Sequence, residues 1–167
     1  MPASESDLLS LFEQLNFDTN TIYHAAMHTV EESQALRGEL QGGHCKSLFL
    51  KDKKHNFLLV VMSEDRRLDI KGLSKSPHLN VGRLSFTSAD RMLDMLGVMP
   101  GSVTPFSLIN VTNKDLNVVL DAGMLKHNYL NYHPLHNEAT TTIQSGDLLK
   151  FINHFGFSPI IIDFDQL

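Results

Sequence analysis

A chain of 167 residues, 42% hydrophobic and 20% charged, is long and apolar enough to bury one core without staples, and too apolar to stay disordered. Its one cysteine excludes a disulfide framework and a cysteine-based zinc knuckle. The net charge of −5 argues against a general nucleic-acid binder, yet residues 33–91 hold 11 of the 14 Lys and Arg and only 6 of the 19 Asp and Glu. That asymmetry allows one basic face on an acidic protein. The longest apolar runs, Phe57 to Met62 and Pro159 to Ile162, are far short of the ~20 residues that span a bilayer. The start, MPASESDLLS, carries acid where a leader carries base. A cytoplasmic protein with no membrane partner is expected.

In chain order, Leu8, Leu9, Leu11, Phe12 and Leu15 fall at helical spacing and predict an amphipathic helix over Ser6 to Leu15, within an N-terminal segment 1–17. Asp18 to His24 alternates and suits a strand. Thr29 and Glu32 form a capping box for a second helix that Gly38 stops. Cys45 to Leu50 and Asn56 to Met62 read as a hairpin joined by the polar turn Lys51 to His55. A short helix near Asp69 to Leu73 and a strand at Arg83 to Phe86 follow. A helix over Ser88 to Leu96 starts on a Ser cap and ends at Gly97. Leu116 to Leu120 and the β-branched Glu138 to Ile143 are further strands. Ser145 is expected to cap a last helix through Phe155, closed by Gly156, and Pro159 to Asp163 ends the chain as a strand. Strands come in groups rather than in strict βαβ alternation, which predicts an α+β fold, one domain over residues 1–167, with a mixed, largely antiparallel sheet flanked by helices.

Three stretches hold residues that packing alone does not require. In Gly42 to Lys54, alternation turns Lys46 away from Cys45 and Ser47. Lys46 is then either a fixed cation at a pocket mouth or a solvent-side lysine guarding an edge strand. In Gly97 to Phe106, two glycines and two prolines make a constrained loop that either aims backbone N–H groups at an oxyanion or simply turns tightly. In His133 to Ile143, His133 before Pro134 either orients a water or substrate or satisfies a loop-to-strand junction. His133 and His136 lack a third metal ligand, and His24 with His28 lacks the HExxH glutamate. No GxGxxG, GxxxxGK[ST] or GxSxG motif is present, so no cofactor and no metal is expected. Cys45 has cationic neighbours in His44 and Lys46, but adjacent strand residues face opposite ways, which favours a buried thiol over a nucleophile.

TVEESQALRGEL (Thr29 to Leu40), GGHCKSLFLKDKK (Gly42 to Lys54), GVMPGSVTPFSL (Gly97 to Leu108) and HPLHNEATTTI (His133 to Ile143), in this order, resemble the free-standing relatives of the bacterial prolyl-tRNA synthetase editing domain, most closely the ProXp-ala (PrdX) type within the YbaK superfamily. The resemblance spans roughly Asp18 to Phe164. It implies the YbaK/prolyl-tRNA-synthetase-associated α+β fold and a trans-editing hydrolase that removes alanine from mischarged tRNA(Pro). It also implies catalytic positions at Lys46, at the GxxxP loop Gly101, Ser102, Val103, Thr104 and Pro105, and at His133. Ser47 and Arg37 are further substrate-binding candidates, and the basic stretch Lys51, Lys53 and Lys54 is expected to meet the acceptor stem, with salt-sensitive binding. Partners would be aminoacylated tRNA(Pro) and, transiently, a prolyl-tRNA synthetase. Ser47 stands where the family usually has Asn, and Cys45 where it often has Thr. Ser47 can donate or accept one hydrogen bond but lacks the paired geometry of an amide. The alternatives are a Cys-tRNA(Pro) deacylase of the YbaK branch, a non-catalytic tRNA- or synthetase-binding module, and a hydrolase of free amino-acid analogues.

Overall fold

The computed structural model describes residues 1–26 and 40–167; the helix expected from Thr29 to Gly38 lies outside the described residues. Helix α1 (Glu5–Gln14) begins with a reciprocal capping box: Ser4 Oγ accepts from the Asp7 N–H, and the Asp7 carboxylate accepts from the Ser4 N–H. Its i, i+4 pair Leu8 and Phe12 is fully buried. Glu5 in its first turn accepts from Tyr23 Oη at 2.7 Å and pairs with His136 Nε2 at 3.0 Å. The N-terminal helix is thereby tied to the strand β1 (Asn20–Tyr23) and to the loop that carries His133.

Strand β2 (Gly43–Lys51) pairs antiparallel with β3 (Phe57–Ser63), from Cys45 opposite Ser63 to Lys51 opposite Phe57. The turn between them is built on Asp52, which is only 3% exposed. Its carboxylate accepts from the backbone N–H of Lys54, Asn56 and Gly82 and from Asn56 Nδ2, at 2.8 to 2.9 Å. Burial alone would push this carboxyl up, but the four donors outweigh it and hold the pKa at about 2, below the ordinary 3.8. The folded state therefore gains stability from Asp52 above the unfolded-state pKa and loses it as pH falls from about 4 to about 2. The Tm of the protein is expected to fall more steeply over that window than the Tm of Asp52→Asn, which has no carboxyl to titrate. Parallel curves would assign the acid sensitivity elsewhere.

Next come α2 (Ile70–Ser74), capped by Asp69, then β4 (Ser85–Phe86) and α3 (Ala89–Leu96). Helix α3 starts where Ser88 Oγ accepts the Arg91 N–H and stops at Gly97 in the left-handed region (φ 68°), both as the sequence predicts. A 3₁₀ helix over Pro105–Asn110 follows, then β5 (Asn117–Asp121), β6 (Tyr129–Tyr132), β7 (Ala139–Gln144), α4 (Ser145–His154) and β8 (Ile160–Ile162). Strand β6 and the 3₁₀ segments are not signalled by the sequence pattern. The last helix begins at Ser145, but the N-cap is Gln144 and makes no side-chain bond. Ser145 is a helical residue whose own N–H donates to Asn128 O at 2.9 Å, so tertiary contact replaces the expected cap.

The sheet runs β1-β7-β6-β2-β3-β5-β8, with β4 added to β2. It is mixed: β1–β7, β7–β6, β2–β3 and β2–β4 are antiparallel, while β6–β2, β3–β5 and β5–β8 are parallel. Alternation along β2 and β3 sends Phe49, Leu59 and Val61 into the larger core with α1, α4 and the 3₁₀ helix, and Leu50, Leu58, Val60 and Met62 into a second core. Phe106 is at the centre of the larger core, within ring contact of Phe12, Tyr132 and Phe151. Among the described residues no helix is long and apolar enough to cross a membrane.

Candidate active site

One edge of β2 is used along Cys45 to Lys51 by β3. The other edge is shared. β6 takes Gly43 and His44, and β4 takes Leu50 and Lys51. Between them the edge from Cys45 to Leu48 has no strand partner among the described residues. The start of this arrangement depends on close approach: Gly42 has φ 89°, and a Cβ there would lie 2.2 Å from Tyr129 O. Asn131, buried in β6, donates to Gln41 O and Gly43 O and accepts from Thr142 Oγ1, so it pins the entry of β2 against β6 before the strands part.

A cavity of about 220 Å³ opens in the gap, lined by Cys45, Lys46, Ser47, Glu64, Gly101, Val103, Tyr132 and His133. Three of the stretches singled out in the sequence therefore meet here. Lys46 belongs by alternation to the face opposite Cys45 and Ser47, as predicted, yet all three line one cavity because it is placed at the open edge, where both faces of the strand are accessible. Phe49 O accepts from Thr87 on this same edge. Two-residue periodicity then turns the backbone N–H and C=O of Ser47 toward the gap as well. Ser47 Oγ is buried and has no hydrogen-bond partner among the described residues. Lys46 is half-buried, and its side chain makes no ion pair or hydrogen bond among the described residues.

The GxxxP loop divides its labour. Gly101, at φ 90°, is held where a side-chain-bearing residue would be strained, although a Cβ would meet only Asn137 Nδ2 at 3.8 Å. The Ser102 N–H is committed to Met99 O at 3.0 Å. Thr104, fully buried, accepts the Phe106 N–H, and Pro105 opens the 3₁₀ helix. Gly101 and Val103 line the cavity, and their N–H groups donate no hydrogen bond among the described residues. The amides available to a ligand are therefore those of Gly101 and Val103, while Ser102, Thr104 and Pro105 shape the loop.

His133 Nδ1 is 3.0 Å from Ala139 O. A carbonyl only accepts, so Nδ1 carries the proton and Nε2 keeps its lone pair. Burial pushes this imidazole below its usual pKa against the opposing bond to Ala139, which keeps it neutral at pH 7. Its ring is 6.5 Å from that of His24, whose Nε2 is 2.8 Å from Thr140 Oγ1.

Sequence reasoning omitted three lining residues from the site. Burial pushes the Cys45 thiol up to about 12, so it is a neutral wall and not a nucleophile. Tyr132, 3% exposed, presents a neutral phenol whose hydroxyl donates to Met124 Sδ. Glu64 follows the apolar run of β3 and donates its N–H to His44 O at 2.8 Å. Nothing in its local sequence marks it. Conversely, Lys51, Lys53 and Lys54 are not in the cavity. Lys51 is at the far end of β2, ~17 Å along the strand from Lys46. Lys53 and Lys54 line a separate groove of about 400 Å³ with Asn80 and Arg83. Arg37 lies outside the described residues.

Comparison with known proteins shows the family of the chain. The model of the aminoacyl-tRNA editing domain family matches residues 24–151. The prolyl-tRNA synthetase associated domain-containing protein 1 of Mus musculus is 36% identical over 167 residues, covering 96% of this chain and 98% of its own. The prolyl-tRNA editing protein ProX of Acetoanaerobium sticklandii is 29% identical over 150 residues, covering 89% and 90%. A crystal structure described as a candidate trans-editing enzyme for prolyl-tRNA synthetase shares the fold, with a TM-score of 0.70 at 18% identity and 98% coverage of each chain. With the family's model spanning the strand lysine, the glycine-proline loop and the His-Pro turn that converge on one cavity, the chain belongs to the aminoacyl-tRNA editing domain family.

Proposed function

We propose that this protein is a trans-editing hydrolase that cleaves the aminoacyl ester of mischarged Ala-tRNA(Pro). The observation that carries the reading is the open edge of β2, which collects Lys46, Ser47, Gly101, Val103 and His133 around one small cavity. The names of the relatives, a prolyl-tRNA editing protein and a synthetase-associated domain protein, support prolyl-tRNA as the carrier. The synthetase-associated name also supports an encounter with a prolyl-tRNA synthetase.

An ester at the terminal ribose is already activated, so positioning and charge stabilisation suffice without a covalent nucleophile. Water adds to the carbonyl carbon, and the oxyanion is received by the N–H groups of Gly101 and Val103. The C–O bond to the ribose then breaks, alanine leaves as the acid, and the water's proton ends on the ribose oxygen. The vicinal ribose hydroxyl orients the water. Lys46 neutralises the terminal phosphate, and His133, neutral with Nε2 as an acceptor, holds the acceptor end rather than acting as an obligatory base.

A cavity of about 220 Å³ is smaller than the ~300–1,000 Å³ of pockets that enclose a drug-sized ligand. It suits a small acyl group with part of the ribose and leaves the adenine outside. Walls formed by Cys45, Val103 and Tyr132 are packed on the larger core, so a prolyl ring is expected to be excluded by shape, since a single methylene supplies only ~1–3 kcal/mol. The test is deacylation of Ala-tRNA(Pro) against Pro-tRNA(Pro), Cys-tRNA(Pro) and Ala-tRNA(Ala). Turnover restricted to alanine on tRNA(Pro) supports the reading, and preference for the cysteinyl ester assigns the YbaK branch. Binding without any turnover overturns the hydrolase.

The groove of Lys53, Lys54 and Arg83 lies away from the cavity and is suited to phosphates further along the acceptor stem. Replacing all three with alanine is expected to weaken tRNA binding and to lower the slope of log K against log[salt] by about 2–3. kcat on saturating Ala-tRNA(Pro) is expected to stay near wild type. An unchanged salt slope would remove this groove from the interface.

A further inference from the structure

The cavity is bordered by charges of both signs. Lys46 lines it from β2, and Glu64 lines it from the residue just beyond β3. Lys46 is paired in register with Met62, so Glu64, two residues on, is its diagonal neighbour on the same face of the ladder. Glu64 is half-buried and shares the cavity lining with Cys45 and His133. An aminoacyl ester is itself dipolar. Its 3′-terminal nucleotide carries phosphate and its acyl group carries an α-ammonium, two features on opposite sides of the terminal ribose that need opposite partners. The other lining groups supply hydroxyls, amides, a thiol, a neutral imidazole and a cation, and only Glu64 among them is an anion.

We infer that Glu64 receives the α-ammonium of the aminoacyl group, and that Lys46 and Glu64 together set which way the ester lies in the cavity. This rests on the deacylase reading above. Glu64 is not a free carboxylate, but a carboxylate has two oxygens and about four acceptor positions, so a partner in the protein and a ligand ammonium can share it. The ammonium cannot be exchanged for a hydroxyl of the same size without losing a charge-assisted bond, so Glu64 makes the site selective for amino-acid esters over hydroxy-acid esters. Reversed binding would bring ammonium to Lys46 and phosphate to Glu64, repulsive at both ends.

The experiment compares alanyl-tRNA(Pro) with lactyl-tRNA(Pro), the same ester with an α-hydroxyl in place of the α-ammonium. Each rate is expressed relative to the spontaneous hydrolysis of that ester. Wild-type protein is expected to favour the alanyl ester in kcat/KM by about 10- to 100-fold, the range for a hydrogen bond to a charged group. In Glu64→Gln, which keeps size and acceptor, that ratio is expected to fall to within about 3-fold of unity, through loss on the alanyl ester alone. Glu64→Asp, which keeps the charge, retains most of the preference. If wild type turns over Ala-tRNA(Pro) but Glu64→Gln leaves the alanyl-to-lactyl ratio unchanged, the Glu64 assignment is overturned and the hydrolase stands. Equal losses in the Asp and Gln variants overturn it too, since shape and not charge would then matter. Absence of turnover in wild type overturns the hydrolase reading itself.

Discussion

Lys46→Ala is expected to lower kcat/KM on Ala-tRNA(Pro) by a factor on the order of 10²–10³, the loss seen when one preorganised electrostatic partner is removed from a site. The side chain is half-buried on a strand clamped by β3 along seven residue pairs, so truncation does not disturb the ladder. It also has no ion-pair partner to orphan among the described residues. The Tm should therefore stay within a few degrees of wild type. A change of this size with an intact fold separates a charge that works on the ligand from a lysine that only protects an edge. Lys46→Arg keeps the charge but spreads it over a planar fork of different reach, so partial recovery is expected. Steady-state deacylation with a thermal melt on the same preparations decides the matter. Full activity in Lys46→Ala would place the reaction elsewhere.

Phe106→Ala is expected to cost about 3–5 kcal/mol of stability, the range for emptying a buried aromatic site. Phe106 is fully buried, and its ring lies 5.0 Å from that of Phe12, 5.4 Å from Phe151 and 5.7 Å from Tyr132, each near edge-to-face. One side chain thus joins α1, α4 and β6. It also follows the GxxxP loop directly and touches the tyrosine that walls the cavity. The cavity left behind loosens Tyr132 and the Gly101 to Pro105 turn together, so activity should fall even at temperatures where the variant remains folded. Urea unfolding monitored by circular dichroism measures the first effect and deacylation well below the Tm measures the second. A loss below about 1 kcal/mol would mean that the larger core closes over the gap.

Elements with a local cause were legible in the sequence. The hairpin of β2 and β3 is marked by two apolar runs and a turn whose aspartate collects four donors. Helix α3 is bounded by Ser88 and Gly97, each of which does its capping through its own backbone or side chain. Strand β6 was missed because its four residues YLNY carry too short a pattern. Its pairing depends on Asn131 donating to Gln41 O and Gly43 O from a segment about ninety residues away. The misplaced cap at Ser145 has the same origin, since Asn128 takes the N–H that a local cap would have left free.

For the site, the sequence determined the parts: a strand lysine, a glycine-proline loop and a His-Pro turn, whose residue types limit the chemistry to positioning, charge and backbone donation. Only the tertiary structure decided how they are used. Side-chain alternation alone puts Lys46 and Ser47 on opposite faces, and it is the parting of β6 from β2 after His44 that opens the edge where both line one cavity. The protonated nitrogen of His133, the commitment of Ser102 to a turn, the neutrality of Cys45 and the presence of Glu64 at the rim likewise depend on neighbours distant in sequence. Periodicity and caps are properties of a few consecutive residues. A cleft is a property of where two strands stop pairing, and that is set by the whole sheet.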